Sequence, residues 1–168
     1  MAANVDAKDL EAKVKEMYRA VAQDPHGEFH FEMGRAMAER LGYSPARLDR
    51  VPPEAMDSFA GVGHFFQLAE LRPGETVVDL GSGSGMDTFV ASLEVGPTGR
   101  VIGVDMTDEQ LGKATRLAKE RGFTNVTYRK GYIEETGIEN DSVDCVISNG
   151  VINLAPDKGR VFREAARI

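Results

Sequence analysis

The sequence has no tryptophan, and its 168 residues carry one cysteine and three histidines. A single cysteine excludes an intramolecular disulfide and any Cys-x-x-Cys metal centre. Long uncharged runs are also missing. The best candidate, Cys145–Pro156, falls far short of a membrane span and contains Ser148, Asn149 and Asn153. The opening residues, Met1-Ala-Ala-Asn-Val-Asp-Ala-Lys8, lack the basic-then-apolar order of a secretory signal, so a reducing, cytoplasmic location is the expectation. Basic charge is scarce as well. With 20 Lys and Arg against 27 Asp and Glu, the net charge is −7. That balance argues against nucleic acid as a partner, because neutralising phosphates needs a basic patch. The two basic clusters, Lys113–Arg121 and Arg160–Arg167, alternate with acids or apolar residues at helical spacing and read as solvated helix faces. What remains is ordinary globular composition, 42% hydrophobic and 28% charged, enough for one buried core.

The chain changes character near residue 72. Before it, Leu10, Val14, Met17, Tyr18 and Val21 recur at helical period and predict a helix from about Asp6 to Gln23, stopped by Asp24-Pro25-His26-Gly27. A second helix is predicted over Phe31–Leu41, closed by Gly42. Ser44-Pro45 opens a short helical turn and Pro52-Pro53 breaks it. Asp57–Gly63 reads as a small-residue loop, followed by an apolar segment, His64–Leu71. After Arg72 the pattern becomes strand, turn, helix. Strands are predicted at Thr76–Leu80, Val101–Val104, Asn125–Lys130 and Val143–Ser148. Helices follow the first two, at Met86–Glu94 and at Asp108–Arg121 with Thr107 as N-cap, and a last helix starts at Pro156 or Asp157. Alternation of this kind implies right-handed crossovers and a parallel sheet. The first and fourth strands are apolar almost throughout, as buried parallel strands are.

The strongest motif is Asp79-Leu-Gly-Ser-Gly-Ser-Gly85, directly after a strand and opening a helix. Glycines there let the backbone turn tightly and let a ligand approach closely, while the helix start offers free N–H groups. Asp105 closes the next strand twenty residues after Gly85, where a carboxylate can accept hydrogen bonds from a ribose diol. A dinucleotide fingerprint requires glycine at position 86, which is Met86, and no Lys-Ser or Lys-Thr pair follows to make a phosphate loop. A carboxylate beside the loop, at Asp79, suits a ligand with an ammonium group, and S-adenosylmethionine combines an ammonium, a ribose and an adenine.

These segments, with Val101-Ile-Gly-Val-Asp105-Met-Thr, Gly131-Tyr-Ile-Glu134 and Val146-Ile-Ser-Asn149-Gly-Val-Ile-Asn-Leu-Ala-Pro-Asp-Lys158, resemble the class I S-adenosylmethionine-dependent methyltransferases, within them the arsenite methyltransferase-like group. The resemblance runs over roughly residues 40 to 168. It implies a Rossmann-like parallel sheet in strand order 3-2-1-4 behind an N-terminal helical extension. Residues 1–71 would form a helical segment and a loop covering the cofactor, and 72–168 the cofactor-binding domain. It further implies that Gly81, Ser82 and Gly83 lie along the methionine part, with Asp79 near its ammonium. Asp105 would hold the ribose, Met106, Ile133 and Glu134 would surround the adenine, and Asn149 would stand near the transferred methyl. Ser58–Gly63, with Phe59, resembles the loop that closes over the cofactor. The expected reaction is direct displacement onto a small-molecule acceptor. The alternatives are a non-catalytic or incomplete cofactor-binding derivative, and a nicotinamide-dependent oxidoreductase, against which Met86 counts. The family's sheet has seven strands and this chain has space for four. That predicts a truncated domain whose apolar fourth-strand edge is open, or one covered by a homodimer.

Arsenite methylation relies on thiolates, which the family carries in the loop matching Gly61-Val62-Gly63 and at the position of Gly150. Both are absent here, so arsenite is not the expected acceptor. Cys145 falls inside the fourth strand and is expected to be a buried, inert thiol. No metal site is expected: His26 and His30 are four apart, but Pro25 and Gly27 break the helix that would align them. His64, after the glycine-bearing loop, could serve as a general base, although a structural role is the favoured reading. Tyr18 is expected in the core. Tyr43 belongs to the N-terminal part that covers the acceptor in this superfamily. No catalytic base stands out.

Overall fold

The computed structural model describes residues 7–168; the predicted helix start at Asp6 and the reading of residues 1–6 lie outside them. The first helix, α1 (Ala7–Gln23), places Leu10, Val14, Tyr18 and Val21 on one face. Val14 and Val21 are buried, and Leu10 and Tyr18 are half-buried. Four short helices follow: α2 (Arg35–Leu41), α3 (Pro45–Leu48), α4 (Pro53–Asp57) and α5 (Phe66–Ala69). Helix α2 begins at Arg35 rather than Phe31, because Gly34 at φ 88° and ψ −171° interrupts any helical backbone. It ends at the expected Gly42. Pro52-Pro53 does more than break the preceding turn. Pro53 opens α4, where a missing N–H leaves nothing unpaired. Asp57 therefore belongs to α4 and not to the loop after it.

Beyond residue 72 the four strands are β1 (Thr76–Leu80), β2 (Arg100–Asp105), β3 (Val126–Lys130) and β4 (Cys145–Ser148). All pairings are parallel, and the order is β3-β2-β1-β4, as predicted. The connecting helices are α6 (Met86–Val95) and α7 (Asp108–Arg121), and α8 (Lys158–Arg167) follows β4. Val77, Val101 and Ile147 face a core built with Phe89, Leu117 and Tyr43, whereas Val78, Leu80 and Val104 face a second core with Ile133, Val161 and Ile168. Both faces of the sheet are thus covered, as a parallel sheet requires.

The fourth strand is shorter and less buried than its composition predicts. It starts at Cys145, and of its four residues only Ile147 is buried. The N–H groups of Ser142 and Val143 donate to Ile168 O at 2.6 and 3.0 Å, so this stretch is tied to the end of α8 instead of the ladder. Among the described residues β4 pairs only with β1, which leaves its side chains half-covered. A 3₁₀ turn, Ile152–Leu154, has no counterpart among the predicted elements. Asp157 caps α8, its carboxylate accepting the Arg160 N–H at 3.0 Å.

Strand β1 lies between β2 and β4, and the chain leaves β1 toward one side and β4 toward the other. The carboxyl ends of these strands frame a crevice at this switch point, the usual position of a ligand site in an open α/β sheet.

Candidate functional site

At that crevice the protein encloses a cavity of about 340 Å³, within the roughly 300–1,000 Å³ typical of small-molecule sites. All ten residues singled out from the sequence line it: Phe59, Asp79, Gly81, Ser82, Gly83, Asp105, Met106, Ile133, Glu134 and Asn149. The glycine loop forms one wall. Gly81 takes φ +75°, and a Cβ there would sit 2.6 Å from Val151 Cγ1, so only a bare backbone fits between β1 and the loop after β4. The Gly81 and Ser82 N–H groups donate to Val104 O at 2.8 and 3.0 Å, fixing the loop to the end of β2.

Asp105 accepts the Gly83 N–H at 2.9 Å on one oxygen and the Thr107 N–H at 2.9 Å on the other. Each oxygen keeps a lone pair for a ligand hydroxyl. Burial raises the Asp105 pKa and these N–H groups oppose the rise.

Two further acids lie deeper. Asp79 and Asp87 are 2% and 5% exposed. Asp79 accepts from Thr88 Oγ1 at 2.7 Å; Asp87 accepts from Tyr43 OH at 2.6 Å and from Asn149 Nδ2 at 2.9 Å. Burial drives both carboxyl pKa values upward, and for Asp79 the nearby Asp87 adds to the effect. Among the described residues no basic side chain pairs with either one. Two cavity-lining carboxylates without a counter-charge favour a cationic guest.

The roof comes from the N-terminal segment. Leu10, Glu11, Val14 and Tyr18 of α1 and the stretch Ser58–Gly61 close the cavity from above. Tyr18 therefore faces the cavity, contrary to its expected place in the core. Several contacts hold α1 in position. Arg19 pairs with Glu109 at 2.7 Å, Gln110 Nε2 donates to Tyr18 O at 2.9 Å, Tyr132 OH donates to Glu11 Oε1 at 2.8 Å, and Lys15 Nζ donates to Tyr132 OH at 3.0 Å. Lys113, read from sequence as part of a solvated face, is half-buried and donates to Ser58 Oγ at 2.7 Å, joining α7 to the covering loop.

Other residues weighed from the sequence lie elsewhere. His64 is not among the lining residues. Its ring meets Tyr43 edge-on at 4.6 Å, and burial with nearby Arg47 lowers its pKa, which suits packing in an aromatic cluster. His26 and His30 lie in the irregular connection between α1 and α2 and share no helix face. Among the described residues no group of three or more His, Cys, Asp or Glu is arranged to hold a metal ion. Cys145 is half-buried rather than buried, and burial with Glu75 and Asp144 raises its thiol pKa, so the reactive thiolate is disfavoured. Among the described residues no helix is long and apolar enough to cross a membrane. Sequence reasoning missed Asp87, Gln110 and the α1 residues. An acid in the first turn after a glycine loop is a readable signal for Asp87, whereas α1 offers only an apolar stripe.

Sheet order and the switch-point cavity lined by lone acids together define a Rossmann-like domain with a candidate ligand site at its strand ends. The methyltransferase domain family matches residues 71–168, and the chain belongs to it, within the class I S-adenosylmethionine-dependent methyltransferases and near the arsenite methyltransferase group. An arsenite methyltransferase of Halobacterium salinarum is 39% identical over 182 residues, covering 100% of this chain and 46% of that protein. A human arsenite methyltransferase is 48% identical over 101 residues, covering 55% of this chain and 27% of that protein. Among solved structures, an arsenic(III) S-adenosylmethionine methyltransferase from Chlamydomonas reinhardtii superposes with a TM-score of 0.66 at 43% identity, over 73% of this chain and 44% of that one. The chain thus spans less than half the length of these relatives.

Proposed function

We propose that this protein binds S-adenosylmethionine in the switch-point cavity and serves methyl transfer to a small acceptor other than thiolate-held arsenite. The observation that carries the reading is the buried pair Asp79 and Asp87, which line the cavity with no basic partner among the described residues. When bound, the cofactor supplies a methyl group on a positively charged sulfur, together with an ammonium. Asp79 and the Gly81–Gly83 backbone hold its amino-acid part, Asp105 accepts from the ribose, and Met106, Ile133 and Glu134 flank the adenine. Phe59 and Asn149 border the methyl end. On this reading residues 1–71 cover the cavity and 72–168 bind the cofactor. The protein's contribution is alignment and exclusion of water by α1 and the Ser58–Gly63 loop, effects that together account for much of the barrier in such transfers.

This chain's own sulfur speaks against arsenite. Its one cysteine, Cys145, is not a cavity-lining residue. Within Gly61-Val62-Gly63 only Val62 carries a side chain, and it is 76% exposed. Gly150 takes φ +74°, a backbone region that a cysteine enters only with strain. That no cysteine of this chain lines the cavity supports an acceptor that does not call for soft thiolate ligands.

Calorimetric titration with S-adenosylhomocysteine, NADH and arsenite tests the reading. Binding of S-adenosylhomocysteine alone supports it. NADH binding without S-adenosylhomocysteine binding would overturn the cofactor assignment, and tight arsenite binding would overturn the acceptor assignment.

A further inference from the structure

Asn149 makes more hydrogen bonds than a ligand contact would need. Its Oδ1 accepts the Val62 N–H at 2.8 Å. Its Nδ2 faces three acceptors, Asp87 Oδ2 at 2.9 Å, Gly63 O at 3.0 Å and Tyr43 OH at 3.2 Å. Only this orientation of the amide works, since the flipped one would set Oδ1 against a carboxylate and a carbonyl. Behind it, Tyr43 OH is committed as a donor to Asp87 Oδ1 at 2.6 Å, so its oxygen is free to accept from Asn149. Tyr43 is 2% exposed and Asp87 5% exposed, and both are held by surrounding packing.

Beyond Asn149, the one other side-chain hydrogen-bond contact to the 60–63 loop among the described residues is Tyr43 OH, 3.4 Å from Gly63 O. Gly61 and Gly63 have no side chains, and Val62 points its own into solvent. Yet Ala60 and Gly61 roof the cavity. A backbone with almost no apolar anchorage stays closed through polar contacts, and Asn149 supplies two of them, one to the Val62 N–H and one to the Gly63 carbonyl.

We propose that Asn149, oriented by the Asp87–Tyr43 pair, is a positioning residue that latches the 60–63 loop over the methyl end of the cavity and sets how fast the cofactor leaves. The latch rests on the cofactor reading above for its consequence, but not for its geometry. Hydrogen exchange without ligand tests the geometry. Asn149→Ala removes both loop contacts, and the Val62 amide is expected to exchange on the order of tenfold faster or more, with amides of β1 and β2 unchanged. Tyr43→Phe removes one acceptor of Asn149 and the long contact to Gly63 O but leaves the Val62 N–H bonded to Asn149, and so produces a smaller change in the same amide. Stopped-flow dissociation of S-adenosylhomocysteine tests the consequence: Asn149→Ala is expected to raise the dissociation rate on the order of tenfold while changing the association rate by less than that.

Unchanged exchange at Val62 overturns the latch. So does loss of protection spread evenly over the sheet, which would make Asn149 a residue of global stability. Faster local exchange with an unaltered dissociation rate overturns its functional part. Failure of the unsubstituted protein to bind S-adenosylhomocysteine overturns the cofactor reading instead, and the exchange arm then decides the latch by itself.

Discussion

The covering loop approaches the rest of the site so closely that adding one methyl group should register as a loss of stability. A Cβ built on Gly61 would lie 2.3 Å from Phe59 Cζ, 2.6 Å from Phe59 Cε2 and 2.6 Å from Asn149 Nδ2. Ordinary carbon contacts are about 3.5–4.0 Å, so Gly61→Ala must displace the Phe59 ring or the loop by about an ångström. The ring is not free to yield: Phe59 is 7% exposed and packs edge-on against Tyr43, with centroids 5.4 Å apart. Forcing a methyl into such a place costs about 1–3 kcal/mol. For a protein of this size that corresponds to a fall in Tm of roughly 2–12 °C. The built-in comparison is Gly63→Ala two residues on, where nothing lies within 4 Å of the added Cβ. That substitution should stay within about 0.5 kcal/mol of the parent. Urea denaturation followed by circular dichroism measures both. Equal stability for the two variants would refute the closed loop, because an open loop makes no distinction between these glycines.

Other perturbations bear on the acids. Asp105→Ala should weaken S-adenosylhomocysteine binding by about tenfold to a hundredfold, since hydrogen bonds to a charged acceptor contribute roughly 1.5–3 kcal/mol; unchanged affinity in calorimetry would displace the ribose from Asp105. Asp79→Asn should make the ligand-free protein more stable at pH 7 while lowering its affinity for the same ligand. The sign follows from the raised pKa: the folded state holds its proton above the pH at which the unfolded chain releases it, so stability falls as pH rises through that window. The gain from Asp79→Asn should therefore fade in acid, and a gain independent of pH would count against it. Glu164 runs the opposite way. It accepts from the Thr136 N–H at 2.7 Å, Thr136 Oγ1 at 2.6 Å and Arg167 Nε at 2.8 Å, with Arg167 foremost in lowering its pKa from 4.5 to about 2. Glu164→Gln should cost about 1.5–3 kcal/mol near neutral pH, a difference that narrows as pH falls from 4.5 to about 2. A constant difference across that range, read by denaturation at several pH values, would refute it.

The sheet was legible because its signals are local. Thr76–Leu80 is β-branched and bounded by Pro73-Gly74 and by the glycine loop, and Thr107 to Gly122 carries both ends of a helix. The walls of the cavity followed, because each lies within a few residues of a strand end. The roof was less legible. Tyr18 stands on an apolar stripe, and periodicity says only that a helix face is covered, not whether a core or a cavity covers it. Strand β4 read as buried from its residue types, but burial depends on neighbours that no local pattern encodes. Lys113 shows the same limit: a lysine at helical spacing is a solvated charge until a second segment, here the end of α1 and Ser58, arrives over it.

Asp87 marks where local reading stops and site chemistry begins. A carboxylate in the first turn of α6 is favourable for the helix, because it meets the positive end of the dipole. Burying it beside Asp79 is unfavourable, because desolvation makes both acids costly to ionise and, for Asp79, a charged Asp87 adds to that cost. A protein under selection for stability alone would replace one of them by an amide, which could still accept from Tyr43 or Thr88. Keeping both makes the ligand-free state less stable than it could be. If the cavity takes the cationic cofactor proposed above, its charge offsets that cost, and the deficit in the free protein reappears as affinity in the complex. Stability gained and affinity lost should therefore move together in Asp79→Asn. A variant that gained the one without losing the other would separate the acid pair from the site.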